Sequence, residues 1–185
     1  MLTKNLHRAL DALNNGGVIA YPTESVWGLG CDPFDPLAVE RILRLKQRPV
    51  DKGLIVVAAS IEQVQSLVGP LSSEQQQLLK STWPGPTTWL LPDPDQCYPP
   101  WIRGSFSSVA VRVSAHPLVR QLCAAYGGPL VSTSANPAML PPARSQLRVI
   151  RWFGRQVDYV LRGRLGGNAK PSVIRDLQSG KILRS

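Results

Sequence analysis

Lys46 and Arg48 are two cations one residue apart, followed by Pro49, in a stretch from 41 to 52 that holds five basic residues and one acid. Such a pair suits an anion, above all phosphate: the ammonium is a compact charge and the guanidinium a planar fork of donors. The plainer reading is a solvated charged turn at a helix end, where Lys and Arg meet the negative end of the helix dipole. Hydroxyls are the second resource. Thr23 and Ser25 follow the apolar run Val18 to Tyr21, and Ser132-Thr133-Ser134-Ala135-Asn136 follows Leu130-Val131. Polar groups just past the carboxyl end of a strand are where open α/β sheets bind ligands. Gly28-Leu29-Gly30 lacks the third glycine of a dinucleotide fingerprint and the lysine of a P-loop, so it reads as a tight turn.

Other chemistries have little to work with. The chain has two histidines, His7 on a surface helix and His116 before Pro117, where capping a helix is the default role. Its three cysteines are widely spaced and in no C-x-x-C pairing, which argues against a zinc site or a disulfide framework and for a reducing cytoplasm. Asp93 and Asp95 flank a proline and read as turn residues. Hydroxyls, one asparagine and many cations suit chemistry done by positioning and charge neutralisation, as in transfer at phosphorus.

The elements that must position these groups follow from periodicity. Leu6, Ala9, Leu10 and Leu13 form one helix face, ended by Asn14-Asn15-Gly16-Gly17. Asp35-Pro36 opens a second helix, and Val39, Ile42, Leu43 and Lys46 recur at spacings of three and four, which puts Lys46 on the inward stripe at its end. Pro49 stops that helix near Arg48. The branched run Leu54 to Ala58 reads as a buried strand. Helices are expected from Ser60 to Leu67, from Ser73 to near Ser81, over 117–126 and near Ser145 to Phe153. Strands are expected over 87–91, 109–113, 157–161, 172–175 and 181–184, and from Leu130 into the Ser132–Asn136 stretch. The fold class is then α/β: a single domain, 1–185, around one twisted, open, mixed sheet with flanking helices.

Composition bounds the partners. No run reaches the roughly 18 apolar residues a membrane span needs, and no apolar signal region follows Met1. Lys and Arg number 21 against 12 acids, a net charge of +9. Residues 141 to 185 alone hold ten basic residues and two acids. Such asymmetry points to an anionic partner (a nucleotide, RNA or an acidic surface) or serves solubility.

Six stretches, Tyr21-Pro22-Thr23-Glu24-Ser25, Lys46-Gln47-Arg48-Pro49, Trp83-Pro84-Gly85-Pro86-Thr87, Ala110-Val111-Arg112-Val113, Ser132-Thr133-Ser134-Ala135-Asn136 and Pro171-Ser172-Val173-Ile174, occur in the order seen in the YrdC-like family. Nearly the whole chain resembles its short bacterial members. The resemblance implies a concave basic cleft and a reaction in which L-threonine, bicarbonate and ATP give threonylcarbamoyl-AMP and pyrophosphate. Mg²⁺ is expected on the phosphates, with no metal ligand from protein side chains. Downstream threonylcarbamoyl-transferase proteins would then modify adenosine 37 of tRNA. By the same resemblance Lys46, Arg48, Ser134 and Asn136 are the catalytic group. Thr23, Ser25, Arg112, Ser134 and Ser172 would hold threonine. Lys46, Arg48, Lys52, Ser108, Asn136, Arg144 and Arg184 would hold ATP. Departures lie at Lys52 to Val57 and at Pro137-Ala138-Met139, where the loop path is expected to differ. The alternative is a non-catalytic module for tRNA or double-stranded RNA, with Trp101 and Trp152 stacking bases beside arginines. The resemblance makes RNA binding compatible with catalysis.

Overall fold

Residues 3–167 and 172–184 are described by the computed structural model, and local chemistry sets most of the element boundaries. Thr3 caps α1 (Lys4–Asn14), which buries Leu6, Ala9, Leu10 and Leu13. β1 (Ile19–Pro22) and β2 (Trp27–Gly30) pair antiparallel. The Asp35 carboxylate accepts from the amides of Leu37 and Ala38 at the start of α2 (Pro36–Lys46), and Pro36 fills its first turn. That helix closes on a left-handed Gln47, and a 3-10 turn over Val50–Lys52 leads into β3 (Ile55–Ala58). The segment after Ser60 is a 3-10 turn, Ile61–Val64, and then the short α3 (Gln65–Val68), with no side-chain cap from Ser60. Ser72 and Gln75 form a reciprocal capping box at the head of α4 (Ser73–Thr82).

The second half supplies β4 (Thr87–Pro92), α5 (Pro100–Arg103), β5 (Ser108–Val113) and α6 (Pro117–Tyr126), which ends on a left-handed Gly127. Then come β6 (Leu130–Val131), β7 (Thr133–Ser134), α7 (Gln146–Phe153), β8 (Tyr159–Val160), β9 (Val173–Asp176) and β10 (Ile182–Arg184). Arg155, expected on the basic helix, lies two residues past its end.

The mixed α/β architecture expected from the sequence is present, but its strands divide between two sheets. One has six strands in the order β10-β9-β4-β5-β3-β6, and the other four in the order β7-β2-β1-β8. Both mix directions: β3 runs parallel to β5, β4 to β9 and β1 to β8, against antiparallel neighbours. The division occurs at Ser132. Leu130 and Val131 pair with Val57 and Val56 in the larger sheet; Thr133 and Ser134 pair with Leu29 and Gly28 in the smaller. One unbroken extended run thus serves two sheets. The Gly28-Leu29-Gly30 segment, expected as a turn, is strand β2. A Cβ on Gly30 would lie 2.3 Å from the Val131 carbonyl oxygen and 2.7 Å from the Tyr21 ring, so only glycine allows the chains to come this close.

The main core runs between the sheets. Trp27 and Leu29 from the smaller meet Val56, Trp89 and Val111 from the larger, with Ile42 of α2 and Phe153 of α7. A second cluster packs α1 and α6 against Ile19, Tyr21 and Val57. Each fully buried large side chain contributes about 1.5–3 kcal/mol. The crossing at Ser132 and the turn after α2 therefore stand on rigid, well-packed supports.

Candidate active site

A cavity of about 640 Å³ opens where the two sheets meet, within the size range of small-molecule sites. Thr23 and Ser25 reach it from the β1–β2 loop, Lys46, Arg48 and Lys52 from the end of α2 and the turn after it, and Ser108 and Arg112 from β5. Ser134 and Asn136 enter from β7 and its continuation, and Ser172 and Arg184 from the β9–β10 side. The fold thus gathers every expected site residue but one. Arg144, which is exposed, is not among the described residues of the wall. Pro171, part of the motif around Ser172, lies outside the described residues.

Lys46 ties the end of α2 to β7 and the residues that follow it. Its ammonium donates to the carbonyl oxygen of Ser134 at 2.5 Å and to the carbonyl and side-chain oxygens of Asn136, both at 3.2 Å. Ser134 Oγ donates to Asn136 Oδ1 at 2.6 Å, and Asn136 Nδ2 donates back to the carbonyls of Pro137 and Leu140. Three acceptors match the three protons of the ammonium, so the buried charge is fully hydrogen-bonded. Burial first, and then the neighbouring Arg48, push the Lys46 pKa down to about 8. Arg48 is half-buried and donates through Nε and Nη2 to the carbonyls of Lys52 and Gly53. That ties the 3-10 turn to the helix end. Gly53 itself (φ 55) packs so tightly on α5 that a Cβ would lie 2.8 Å from the Arg103 carbonyl oxygen.

On the opposite wall Arg112 is 7% exposed and faces Glu24, Nη2 to Oε2, at 3.2 Å. Burial opposes the charge on Glu24, yet Arg112 and the Ser114 hydroxyl outweigh it and hold the carboxyl below its usual range. The hydroxyls are braced as well: Thr23 Oγ1 donates to the Val26 carbonyl, and fully buried Thr88 donates to Ser172 Oγ at 2.9 Å. Arg184 donates to the Ser172 carbonyl.

Some readings need correction. His116 caps nothing: its Nε2 meets the Arg164 carbonyl at 3.0 Å and fastens the loop over 163–167. Asp93 is more than a turn residue, being 2% exposed, accepting from the amides of Cys97 and Tyr98 and lying 3.7 Å from Arg103. The tryptophans offered for base stacking are half-buried. Trp101 donates to the Pro33 carbonyl and packs on the core, and Trp152 packs on the core with Arg148 over its outer face. Sequence reasoning missed Arg103, Glu24 and Thr88. The first lines the cavity, and the others stand directly behind lining residues. Strand alternation was the available signal for Thr88, a polar residue on a strand beside Trp89.

Lys46, Arg48, Lys52, Arg103, Arg112 and Arg184 all line the cavity, and no Asp or Glu does among the described residues. No group of three or more His, Cys, Asp or Glu is placed to hold a metal among those residues. Such a wall does not fit a protein-held Mg²⁺, which takes carboxylate oxygens. It fits a polyanion. No helix among the described residues is long and apolar enough to cross a membrane.

Known proteins resemble this chain over most of its length. The Sua5/YciO/YrdC family model, described as telomere recombination, matches residues 11–185. The threonylcarbamoyl-AMP synthase of Cellvibrio japonicus is 52% identical over 183 residues, 99% of this chain and 96% of that protein. That of Marinobacter nauticus is 59% identical over 169 residues, 91% of this chain and 89% of that protein. Among solved structures, P. abyssi Sua5 complexed with L-threonine superposes with a TM-score of 0.87 at 32% identity over 96% of this chain. This chain spans about half of that one, 53% of its length.

Proposed function

The chain belongs to the Sua5/YciO/YrdC family, and on that premise we propose that it makes threonylcarbamoyl-AMP and pyrophosphate from L-threonine, bicarbonate and ATP. One observation carries the reading: six cations and no described acid line a cavity whose other polar side chains are mainly hydroxyls, with the amides of Gln47 and Asn136. The reaction needs such a wall. The threonine amine and bicarbonate combine to an N-carboxylate with loss of water. A carboxylate oxygen then attacks the α-phosphorus of ATP, the bond to the bridging oxygen breaks, and pyrophosphate leaves with that electron pair. Two anions must approach each other, and fixed cations offset their repulsion without reorganising. No side-chain nucleophile takes part.

In this reading Arg48, Lys52 and Arg184 hold the phosphates, with Ser108 beside the nucleotide. Lys46 contributes its charge from its seat on Ser134 and Asn136, because its donors are already engaged. Arg112 takes the threonine carboxylate, and Thr23, Ser25 and Ser172 supply polar contacts to the amino acid. Mg²⁺ would enter on the phosphates of ATP. Arg144 receives no role. The reading takes residues 1–185 as one cytoplasmic domain whose product passes to transferases that modify tRNA. The test is pyrophosphate release by the purified protein. It must require ATP, threonine and bicarbonate together, and release that ignores threonine or bicarbonate would refute the reaction.

A further inference from the structure

We propose that Glu24 positions Arg112 for the carboxylate of the amino-acid substrate, a role that rests on the reaction proposed above. Thr23 and Ser25 line the cavity, whereas Glu24 between them does not. Its Oε1 accepts from Ser114 Oγ at 2.7 Å and from the Ala115 amide at 3.2 Å, and its Oε2 faces Arg112 at 3.2 Å. Glu24 and Arg112 are 6% and 7% exposed. The loop over 163–167 closes the site from behind. The Gly166 amide donates to the Thr23 carbonyl, and a Cβ on Gly166 would lie 3.0 Å from the Glu24 Cα. Glu24 is thus held on two sides by the β5–α6 connection and this loop, with its one remaining oxygen aimed at Arg112.

Arg112 needs that hold. Strand β5 fixes its Cα, but four side-chain torsions separate the backbone from the guanidinium. Arg184 is near enough to repel it. Its Nε has no hydrogen-bond partner among the described residues. The contact with Glu24 Oε2 is an ion pair and not a hydrogen bond, so the fork is placed by the Glu24 charge alone and Nε stays unfilled. Replacing a buried ion pair by apolar residues often costs no stability, so stability alone does not account for this one. A wall arginine kept at a set angle does.

The experiment compares kcat and the separate KM values for threonine and ATP in wild type, Glu24→Gln, Ser114→Ala, Arg112→Ala and the Glu24→Gln/Arg112→Ala double variant. Glu24→Gln is expected to raise the threonine KM about tenfold and the ATP KM by no more than about twofold, the scale on which an outer group acts through an inner one. Ser114→Ala, which loosens Glu24 without removing its charge, should shift the threonine KM in the same direction by less. The double variant should match Arg112→Ala. A Glu24→Gln effect that persists undiminished in the Arg112→Ala background overturns the proposal. Equal rises in both KM values, or a fall in kcat alone, overturn it too. Should Glu24→Gln fail to fold, an unchanged threonine KM in Ser114→Ala does the same. Wild-type protein without threonine-dependent pyrophosphate release overturns this proposal together with the reaction, whereas an active wild type without coupling overturns this proposal alone.

Discussion

Basic residues occupy two opposite environments in this molecule. Lys46 and Arg112 in the cavity wall are 8% and 7% exposed, while Arg148 and Arg151 on α7, and Arg155 just past it, stand in solvent. A buried cation is costly unless it is hydrogen-bonded or paired with an opposite charge, and the wall cations are held accordingly. Lys46 has three acceptors, Arg48 the carbonyls of residues 52 and 53, and Arg112 the carboxylate of Glu24. The arginines of α7 require no such arrangement, since exposed ion pairs contribute about 0–1 kcal/mol. Equal charge in a sequence therefore hides unequal commitment by the fold. Changes in the wall should strike chemistry hard, and changes on the helix should not.

The sharpest test of that contrast is Arg48→Ala. It removes a charge from the cavity wall and no core volume, so on the proposed reaction pyrophosphate release should fall by about 10²-fold or more, the usual scale for losing a preorganised electrostatic contact. The melting temperature should drop only by what the turn at Lys52 and Gly53 loses. Activity within about a factor of two of wild type would take Arg48 out of the wall's chemistry.

Next in size is substrate choice. Threonine and valine are nearly isosteric, so a pocket that takes threonine should separate them through the hydroxyl. Leaving a buried polar group unpaired costs about 1–3 kcal/mol, or roughly tenfold to hundredfold in kcat/KM. Equal turnover of both amino acids would remove Thr23, Ser25 and Ser172 as contacts to the hydroxyl.

A smaller effect is expected from pH, and its sign differs between activity and stability. Lys46 is pushed down to about 8, mainly by burial and then by Arg48. Between that value and the ordinary 10.5, the unfolded lysine keeps a proton that the folded one has lost. Unfolding then takes up a proton, so this residue makes the protein more stable as pH rises through the window. Activity should move the other way and decline above about pH 8 as the wall loses a charge. The check is kcat/KM across the window, with the melting temperature of wild type measured against Lys46→Met. A wild-type melting temperature that falls relative to that of Lys46→Met as pH rises from 8 to 10.5 would contradict the assigned burial.

Much of this contrast was legible beforehand, for reasons that can be stated. Spacings of three and four placed Lys46 on the buried stripe of α2, because helix periodicity alone decides which side faces inward. Its contact with Ser134, 88 residues away, is not a local property; the resemblance to a family supplied the pairing. The two sheets were hidden because Leu130 to Ser134 contains no breaker, and extended backbone serves either sheet equally well. Glu24 was hidden by its neighbours: in the β1–β2 loop Thr23 and Ser25 reach the cavity and Glu24 does not, and what lies behind the middle residue depends on the β5–α6 connection and the loop over 163–167. The surface position of Arg148 and Arg151 could be read directly, since Val149 and Phe153 claim the buried face of α7.

The smallest expected effect on catalysis comes from that helix. Replacing Arg148, Arg151 and Arg155 with Gln removes three exposed charges from the far side of the contrast. Pyrophosphate release should hardly change: the cavity keeps its own six cations, and charges in solvent are screened beyond roughly 10 Å at ordinary salt. Arg148 also lies 5.5 Å from the Trp152 ring centroid, so a slight loss of melting temperature is expected from the lost stacking. If this face binds RNA, the same variant should bind it more weakly and with a flatter dependence on salt, because each lost phosphate contact releases fewer counterions. Both measurements belong on one preparation. Lost synthesis with unchanged folding would mean that α7 acts on the cavity after all, and the division between held and unheld cations would have to be redrawn.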